Sequence, residues 1–296
     1  MRIARLAGVA AVLEYCLRGS CLLSREWALQ TEASIGIDIG DLRVSPKDAL
    51  RKASLLSFRT AEIPSASGDL CPQALSHSGR RHLARFVSGL GLEVAALRAD
   101  MPRFRLTDSA HVDERVSQTA RILELARDLR VSTVTTSVVA LTEPETGEVS
   151  PLVVEGLSRI GEVADACGVR LAIRPTCDDG DRIAESLRAI GCPSLFVGWD
   201  PAAMVMRGVN PLSSIERYAE HIVLFHARDA LAGGRDRSGQ ETGLGEGEVD
   251  LLGVLDVLRS LEYAGPYILR RAETQQPIDD LLVGRDVLLK ELRGRG

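Results

Sequence analysis

The chain has 296 residues, with 36 Lys and Arg against 41 Asp and Glu for a formal charge of −5. It contains no basic block and no interleaving of basic and aromatic side chains, which argues against nucleic acid as a partner. Hydrophobic residues make up 45% and charged residues 26%, as in soluble globular proteins, but aromatics only 4%, so the core has to rest on Val, Leu, Ile and Ala. No apolar run approaches the roughly 20 residues that span a bilayer. The six cysteines (Cys16, Cys21, Cys71, Cys167, Cys177, Cys192) form neither a C-x-x-C pair nor a regular ladder, which fits reduced thiols in a cytoplasmic protein.

Residues 1–33 stand apart as an N-terminal extension. Arg2 and Arg5 precede an apolar stretch from Leu6 to Leu13, which then meets Glu14 and Arg18. Lacking an uninterrupted apolar region and a small-residue cleavage site, this segment reads as an appended helix, or as a start placed too far upstream, in preference to a signal peptide.

Residues 34–296 alternate between two periodicities. Short β-rich runs occur at Ser34–Ile39, Phe58–Ile63, Leu92–Leu97, Val131–Ser137, Val169–Arg174, Leu195–Asp200, His221–His226 and Pro266–Arg271. Amphipathic stretches separate them at Pro46–Leu56, Gln73–Leu90, Val112–Leu129, Pro151–Cys167, Gly180–Ile190, Pro211–Ala219 and Leu251–Leu261, and Pro277–Leu292 closes the chain. In Val112–Leu129, for example, Val116, Ala120, Leu123 and Ala126 share one face. Pro46, Pro151 and Pro211 suit first helical turns, and Gly168 and Gly191 suit C-caps. Eight strand–helix units with mostly short connections predict an α/β fold, a single (β/α)8 barrel, in preference to an open doubly wound sheet. No G-x-G-x-x-G follows the first strand. The one long polar connection, Ala230 to Asp250, falls after the seventh strand and reads as a mobile loop at the face where barrels keep their sites.

In a barrel, the ends of strands five to eight form one arc, so Arg174, Asp200, His226 and Arg270 are expected to face a common volume. At these residues the chain resembles the xylose isomerase-like, or sugar phosphate isomerase/epimerase, barrel family. The resemblance spans about residues 34 to 290 and is carried by Trp199-Asp200-Pro201, by Phe225-His226-Ala227-Arg228-Asp229 and by Gly243-Leu244-Gly245-Glu246-Gly247-Glu248-Val249-Asp250, which is close to the family's L-G-x-G-x-[IV]-D loop. Glu262-Tyr263-Ala264-Gly265-Pro266 resembles the turn into the family's last strand. The resemblance implies a divalent cation (Mn, Mg or Zn) held by Glu, Asp, His and Glu from strands five to eight, with the two glutamates moving a proton between neighbouring sugar carbons.

Asp200 and His226 match that pattern, but Arg174 and Arg270 stand at both glutamate positions. A guanidinium has donors only and keeps its proton, so it can neither ligate a cation nor act as a general base. One such charge about 4 Å from a divalent ion repels it by about 8 kcal/mol at an effective dielectric near 20. The expectation is therefore no cofactor, and a divalent metal only if this reading of the arginines fails.

Two readings of the arc remain. In one, Arg174 and Arg270 grip an anionic or oxyanionic substrate while His226, beside Asp200, serves as acid/base. In the other, Arg174 or Arg270 pairs with Asp200 and closes the site. Glu273 is a third option, standing in for Arg270 if the last strand runs on. Glu62 and Glu246 are further candidate substrate contacts, although Glu62 reads equally well as a loop carboxylate. Arg98 and Asp100 read as solvated loop charges. The expected partner is a small carbohydrate (a sugar, keto sugar or sugar acid) or an anionic metabolite; the alternative is a non-catalytic barrel binding such a metabolite or a protein. The composition is compatible with a homo-oligomer.

Overall fold

The computed structural model describes residues 35–234 and 239–293, so the extension expected over residues 1–33 lies outside the described residues. The strands are β1 (Ile35–Asp38), β2 (Thr60–Pro64), β3 (Glu93–Arg98), β4 (Thr133–Val138), β5 (Arg170–Pro175), β6 (Leu195–Trp199), β7 (Ile222–Ala227), β8 (Asp229–Leu231), β9 (Gln240–Thr242) and β10 (Tyr267–Leu269). Eight of them close into a parallel barrel in the order β1–β10–β7–β6–β5–β4–β3–β2, while β8 and β9 pair antiparallel as a separate hairpin. Around the barrel run α1 (Pro46–Leu55), α2 (His77–Gly89), α3 (Val112–Leu129), α4 (Pro151–Cys167), α5 (Gly180–Ile190), α6 (Pro201–Val205), α7 (Leu251–Ser260) and α8 (Pro277–Arg293). The expected single (β/α)8 barrel is the fold observed.

The helix starts follow from local chemistry. Ser45, Ser76, Asp179 and Asp250 each accept a backbone N–H of the first turn, and Gly168 and Gly191 end α4 and α5 at φ values of 64° and 60°. One element differs from expectation. Pro211–Ala219 is not an α-helix: Ser214 takes a left-handed φ of 52° and the chain makes two 3-10 turns, Ile215–Arg217 and Ala219–His221. The helix after β6 forms earlier, as α6, because Asp200 caps Ala203 N and Pro201 supplies the first-turn φ.

Strand alternation sorts the side chains. On β7, Phe225 faces outward between Trp199 and Tyr267, with ring centroids 5.9 and 5.7 Å away, while Leu224 and His226 face the barrel interior. Leu224, Ala96 and Ile268 make a small apolar cluster of their own, distinct from the large core between strands and helices. This cluster floors the barrel, and the next inward position along each strand is polar.

The connection read as a mobile loop is largely tied down. Asp229 Oδ1 accepts from the amides of Ala230 and Val249 (2.8 and 3.0 Å), and Oδ2 from those of Gly245 and Gly247 (2.9 Å each). Gly245 sits at φ 87°, and a Cβ at Gly247 would lie 2.2 Å from Asp229 Oδ1, so the glycine spacing of the segment serves this one carboxylate. Gly247→Ala is expected to destabilise the fold by about 2 kcal/mol or more, read from urea unfolding. A variant as stable as the wild type would contradict this account.

Candidate functional site

The inward residue at the C-terminal end of each barrel strand is Asp38 (β1), Glu62 (β2), Arg98 (β3), Ser137 (β4), Arg174 (β5), Asp200 (β6), His226 (β7) or Arg270 (β10). The ring thus holds three carboxylates, three guanidiniums and one imidazole on a barrel of eight strands. Asp38, Glu62 and His226 are fully buried, and Asp200 and Arg174 are 3% and 4% exposed.

Several pairings run between strands that are not neighbours and so cross the interior, whereas Arg270 with Asp38 and Arg228 with Asp200 join adjacent strands. His226 Nε2 lies 2.8 Å from Glu62 Oε2, spanning β7 to β2, and Glu62 Oε1 accepts from the Thr135 hydroxyl on β4. Arg174 donates to Asp100, which also takes Arg98 Nη1 at 3.1 Å and the amide of Ser137 at 2.8 Å. Arg98 Nε and Arg270 Nε both approach Asp38 Oδ2, at 2.6 and 3.4 Å, and Arg270 Nη2 reaches Asp41 Oδ1 at 3.3 Å. Asp200 Oδ2 accepts from Arg228 Nη1 at 2.9 Å, and Arg228 Nε donates in turn to Glu241 of β9 at 2.8 Å. Arg271 joins the same Glu241 to Asp280 of α8.

This geometry revises several expectations. The arginines are internally paired, but Arg174 and Arg270 do not pair with Asp200, whose partner is Arg228. Arg98 and Asp100 are not solvated loop charges: they are partly buried and bridge the two sides of the ring. Glu62 is no loop carboxylate either. Glu273 is exposed beyond the end of β10 and does not replace Arg270. Glu246 stands exposed on the turn between Gly245 and Gly247, outside the buried network. Asp38, Asp41, Arg228 and Glu241 went unread in the sequence. Asp38 could have been found, since it stands next to last in the first β-rich run, Ser34–Ile39, and ends the observed β1.

The protonation states follow from burial set against these neighbours. Burial alone raises Glu62, yet His226, Arg174 and Arg270 outweigh it and hold the carboxyl well below the usual range. Burial, with Arg174 beside it, outweighs the lift from Glu62 and Asp200 and lowers His226, so the imidazole is neutral at pH 7 and donates Nε2–H to Glu62. Its Nδ1 is then a lone pair, buried and without a hydrogen-bond partner. Asp200, despite burial, is brought to about 2, chiefly by Arg228 and then by His226, Arg174 and Arg270. Asp38 behaves oppositely: burial, with Glu62 and Asp41 adding to it, raises its carboxyl to about 6 against the pull of Arg270 and Arg98.

Residues 50–290 match the family described as xylose isomerase-like TIM barrel. The chain belongs to that family. Among solved structures it is similar to a xylose isomerase domain protein from Planctomyces limnophilus (20% identity, TM-score 0.73, covering 83% of this chain and 91% of that one). It is also similar to a D-tagatose 3-epimerase-like protein (19%, TM-score 0.71, 88% and 97%). A third is a xylose isomerase-like TIM barrel protein from Mycobacterium smegmatis in complex with magnesium (18%, TM-score 0.65, 84% and 88%). At these identities the likeness carries the fold. No curated protein matches the sequence significantly, and no helix among the described residues is long and apolar enough to cross a membrane.

Within this member of the family, no three His, Cys, Asp or Glu side chains among the described residues converge as a cation site. The two ligand-type residues that match the family pattern are engaged elsewhere: Asp200 by Arg228 and the Ala203 amide, His226 Nε2 by Glu62. A cavity of about 1250 Å³ opens at the other end of the barrel, between Glu93, Arg170, Tyr263 and Tyr267. It contains no ring side chain, and barrel chemistry belongs to the C-terminal face, so the ring is the stronger candidate.

The ring makes stability depend on pH with opposite signs at two positions. The pKa of Asp200 is depressed, so its contribution, about 2 kcal/mol, is present above pH ~4 and lost as pH falls through about 2. Asp38 is raised, so stability declines as pH climbs from about 4 through about 6. Relative to wild type, Asp200→Asn should therefore lose its deficit on acidification below about pH 4, and Asp38→Asn should gain between about pH 4 and 6. Thermal melts across pH check both, and parallel curves for the two variants would refute the assignment.

Proposed function

We propose that this chain binds a small sugar, keto sugar or sugar acid over the ring and isomerises it without a divalent cation, with His226 as the acid/base. The observation that carries the reading is the Glu62–His226 couple. Glu62 accepts Nε2–H, fixes the tautomer and leaves Nδ1 as a buried basic atom without a hydrogen-bond partner. A cation does not fit beside it. Guanidiniums occupy the ring positions on β5 and after β10, where the family resemblance implies glutamates, and both Asp200 oxygens are already bonded.

The chemistry that fits is a 1,2-shift. Nδ1 removes the proton from the hydroxyl-bearing carbon next to a carbonyl, and the negative charge of the resulting enediolate is met by Arg174 and Arg270. The hydroxyl proton passes to the former carbonyl oxygen, and the imidazolium returns its proton to the former carbonyl carbon on the same face. One base serves both carbons. Inverting a single carbon needs an acid on the opposite face, and Asp200, with its pKa near 2 and bonded to Arg228, is ionised and cannot supply one. Isomerisation is therefore favoured over epimerisation.

A second reading has its own support. His226 and Glu62 have no solvent exposure, and Arg174 and Arg270 are already paired with Asp100, Asp38 and Asp41. Such a closed ring suits a non-catalytic barrel that binds an anionic metabolite or a partner protein. The two readings part in D2O. An isomerase washes solvent deuterium into the sugar carbon next to the carbonyl, seen by NMR, and His226→Asn should slow that exchange by about 100-fold or more. Chelators should leave the rate unchanged. Activity that vanishes with EDTA and returns with Mn or Mg would sink the metal-free mechanism. Ligand-induced thermal stabilisation without exchange would favour the non-catalytic reading.

A further inference from the structure

The carboxylate that fixes His226 is itself held from a third strand. Thr135 of β4 donates its hydroxyl to Glu62 Oε1, and His226 of β7 donates Nε2–H to Glu62 Oε2. Neither β4 nor β7 is a neighbour of β2, which carries Glu62. All three side chains are without solvent exposure.

The backbone is shaped for this contact. Along β2 and β3, Ala61 pairs with Val94 but Glu62 pairs with Ala96, so the register shifts at the carboxylate and Ala95 is the extra residue. A bulge of this kind re-aims the side chain beside it. β3 lies between β2 and β4, and its interior residue next to Glu62 is Ala96, whose single methyl group leaves the way across to Thr135 open. Thr135 has little freedom of its own. The ladder pairs it with Arg98 on one side and Ala172 on the other, and a β-branched side chain is restricted at χ1. Its neighbour Thr136 shows the ordinary use of such a hydroxyl, donating to the backbone carbonyl of Ala99 at 2.8 Å.

A carboxylate turns readily about its last bond, because that torsion has a broad well. One donor leaves the turn open; a second donor at the other oxygen closes it. The plane in which Oε2 receives Nε2–H is then set, and the direction of Nδ1 follows because both nitrogens belong to one rigid ring. We infer that Thr135 is a positioning residue of the site: its hydroxyl holds Glu62 so that His226 keeps one tautomer and points Nδ1 one way. The inference rests on the acid/base role given to His226 above and adds the residue that orients it. Thr135 touches no reacting atom and acts only through Glu62. Without the hydroxyl, Oε1 becomes a buried acceptor with no donor, which is costly until the carboxylate turns or takes up a proton. Either response reaches His226.

The test is nitrogen NMR of the full chain, labelled at histidine and held at pH 7, with the His226 signals assigned by their loss in His226→Asn. In the wild type Nε2 should resonate as a protonated nitrogen and Nδ1 as an unprotonated one. Thr135→Val keeps the shape of the side chain but not the donor, and should draw the two signals towards each other as forms mix; Thr135→Ser should restore their separation. Deuterium exchange with ketopentoses and ketohexoses as probes should show kcat down about 10-fold in Thr135→Val, KM within about 2-fold, and most of the loss recovered in Thr135→Ser. A Thr135→Val imidazole identical to that of the wild type overturns the inference, as does a wild-type His226 protonated at Nδ1. Should Thr135→Val not fold, the wild-type hydroxyl decides. A Thr135 hydroxyl proton protected from exchange, with a cross-peak to Glu62, supports the inference, and one that exchanges as fast as a surface threonine's overturns it. No exchange of sugar deuterium in the wild type, with a tautomer that depends on Thr135, sinks the isomerase reading and leaves this one standing.

Discussion

The hydrogen bond between Glu62 and His226 runs from β2 to β7 across the barrel interior, with both side chains fully buried. A carboxylate in such a place survives only if its charge is met, and the imidazole, being neutral, meets only part of it. The rest comes from Arg174 and Arg270, whose own charges require Asp100, Asp38 and Asp41, which draw in Arg98. Each member is affordable because the next is present. That dependence explains why the ring balances three carboxylates against three guanidiniums, and why its bonds tie together strands that the sheet itself leaves apart.

Taken alone, Arg174 and Arg270 look like an electrostatic reversal of a cation site, since four residues of the arc carry a net positive charge. With the whole ring in place the surplus disappears. Asp38 and Glu62, on the first two strands, supply the negative charge missing from the fifth and last. The interior has not become an anion sink by charge excess. What it retains is directional: Arg174 Nε is a buried donor without a hydrogen-bond partner, and Asp38 Oδ2 and His226 Nδ1 are buried acceptors without one. Selectivity of that kind comes from the geometry of donors and acceptors, and it coexists with a nearly neutral site.

The barrel was legible because period-2 runs alternate with amphipathic stretches throughout, and the same alternation put Arg174, Asp200, His226 and Arg270 at strand ends. Of the ring, the sequence leaves Asp38 and Ser137 unmarked and makes Arg98 a solvated charge, because the family pattern lies on strands five to eight while these residues hold the equivalent places on strands one, four and three. The partners were beyond sequence reasoning. Whether Arg174 reaches Asp100 or Asp200 depends on side-chain length and direction across a closed interior, which strand order alone does not give. The misplaced helix at Pro211–Ala219 has a local cause, since the amphipathic pattern there is real but Asp200 and Pro201 start a helix ten residues earlier.

Asp229 and Arg228 give the Phe225–Asp229 segment a meaning that neither a metal site nor a salt bridge conveys alone. Asp229 fixes the glycine turn through four backbone amides, which holds the entry to α7 rigid. Its neighbour Arg228 is divided between Asp200 in the ring and Glu241 in the hairpin, and Glu241 is shared with Arg271, which extends to Asp280 on α8. A ligand that took Nε or Nη1 of Arg228 would compete with the carboxylate bonded there. If it weakens the bond to Glu241, the β8–β9 hairpin loses one of the two guanidiniums that hold it to the barrel. If it weakens the bond to Asp200, the charge on that carboxylate is left to Arg174 and Arg270, which already act on it. A single guanidinium therefore ties the ring to the hairpin.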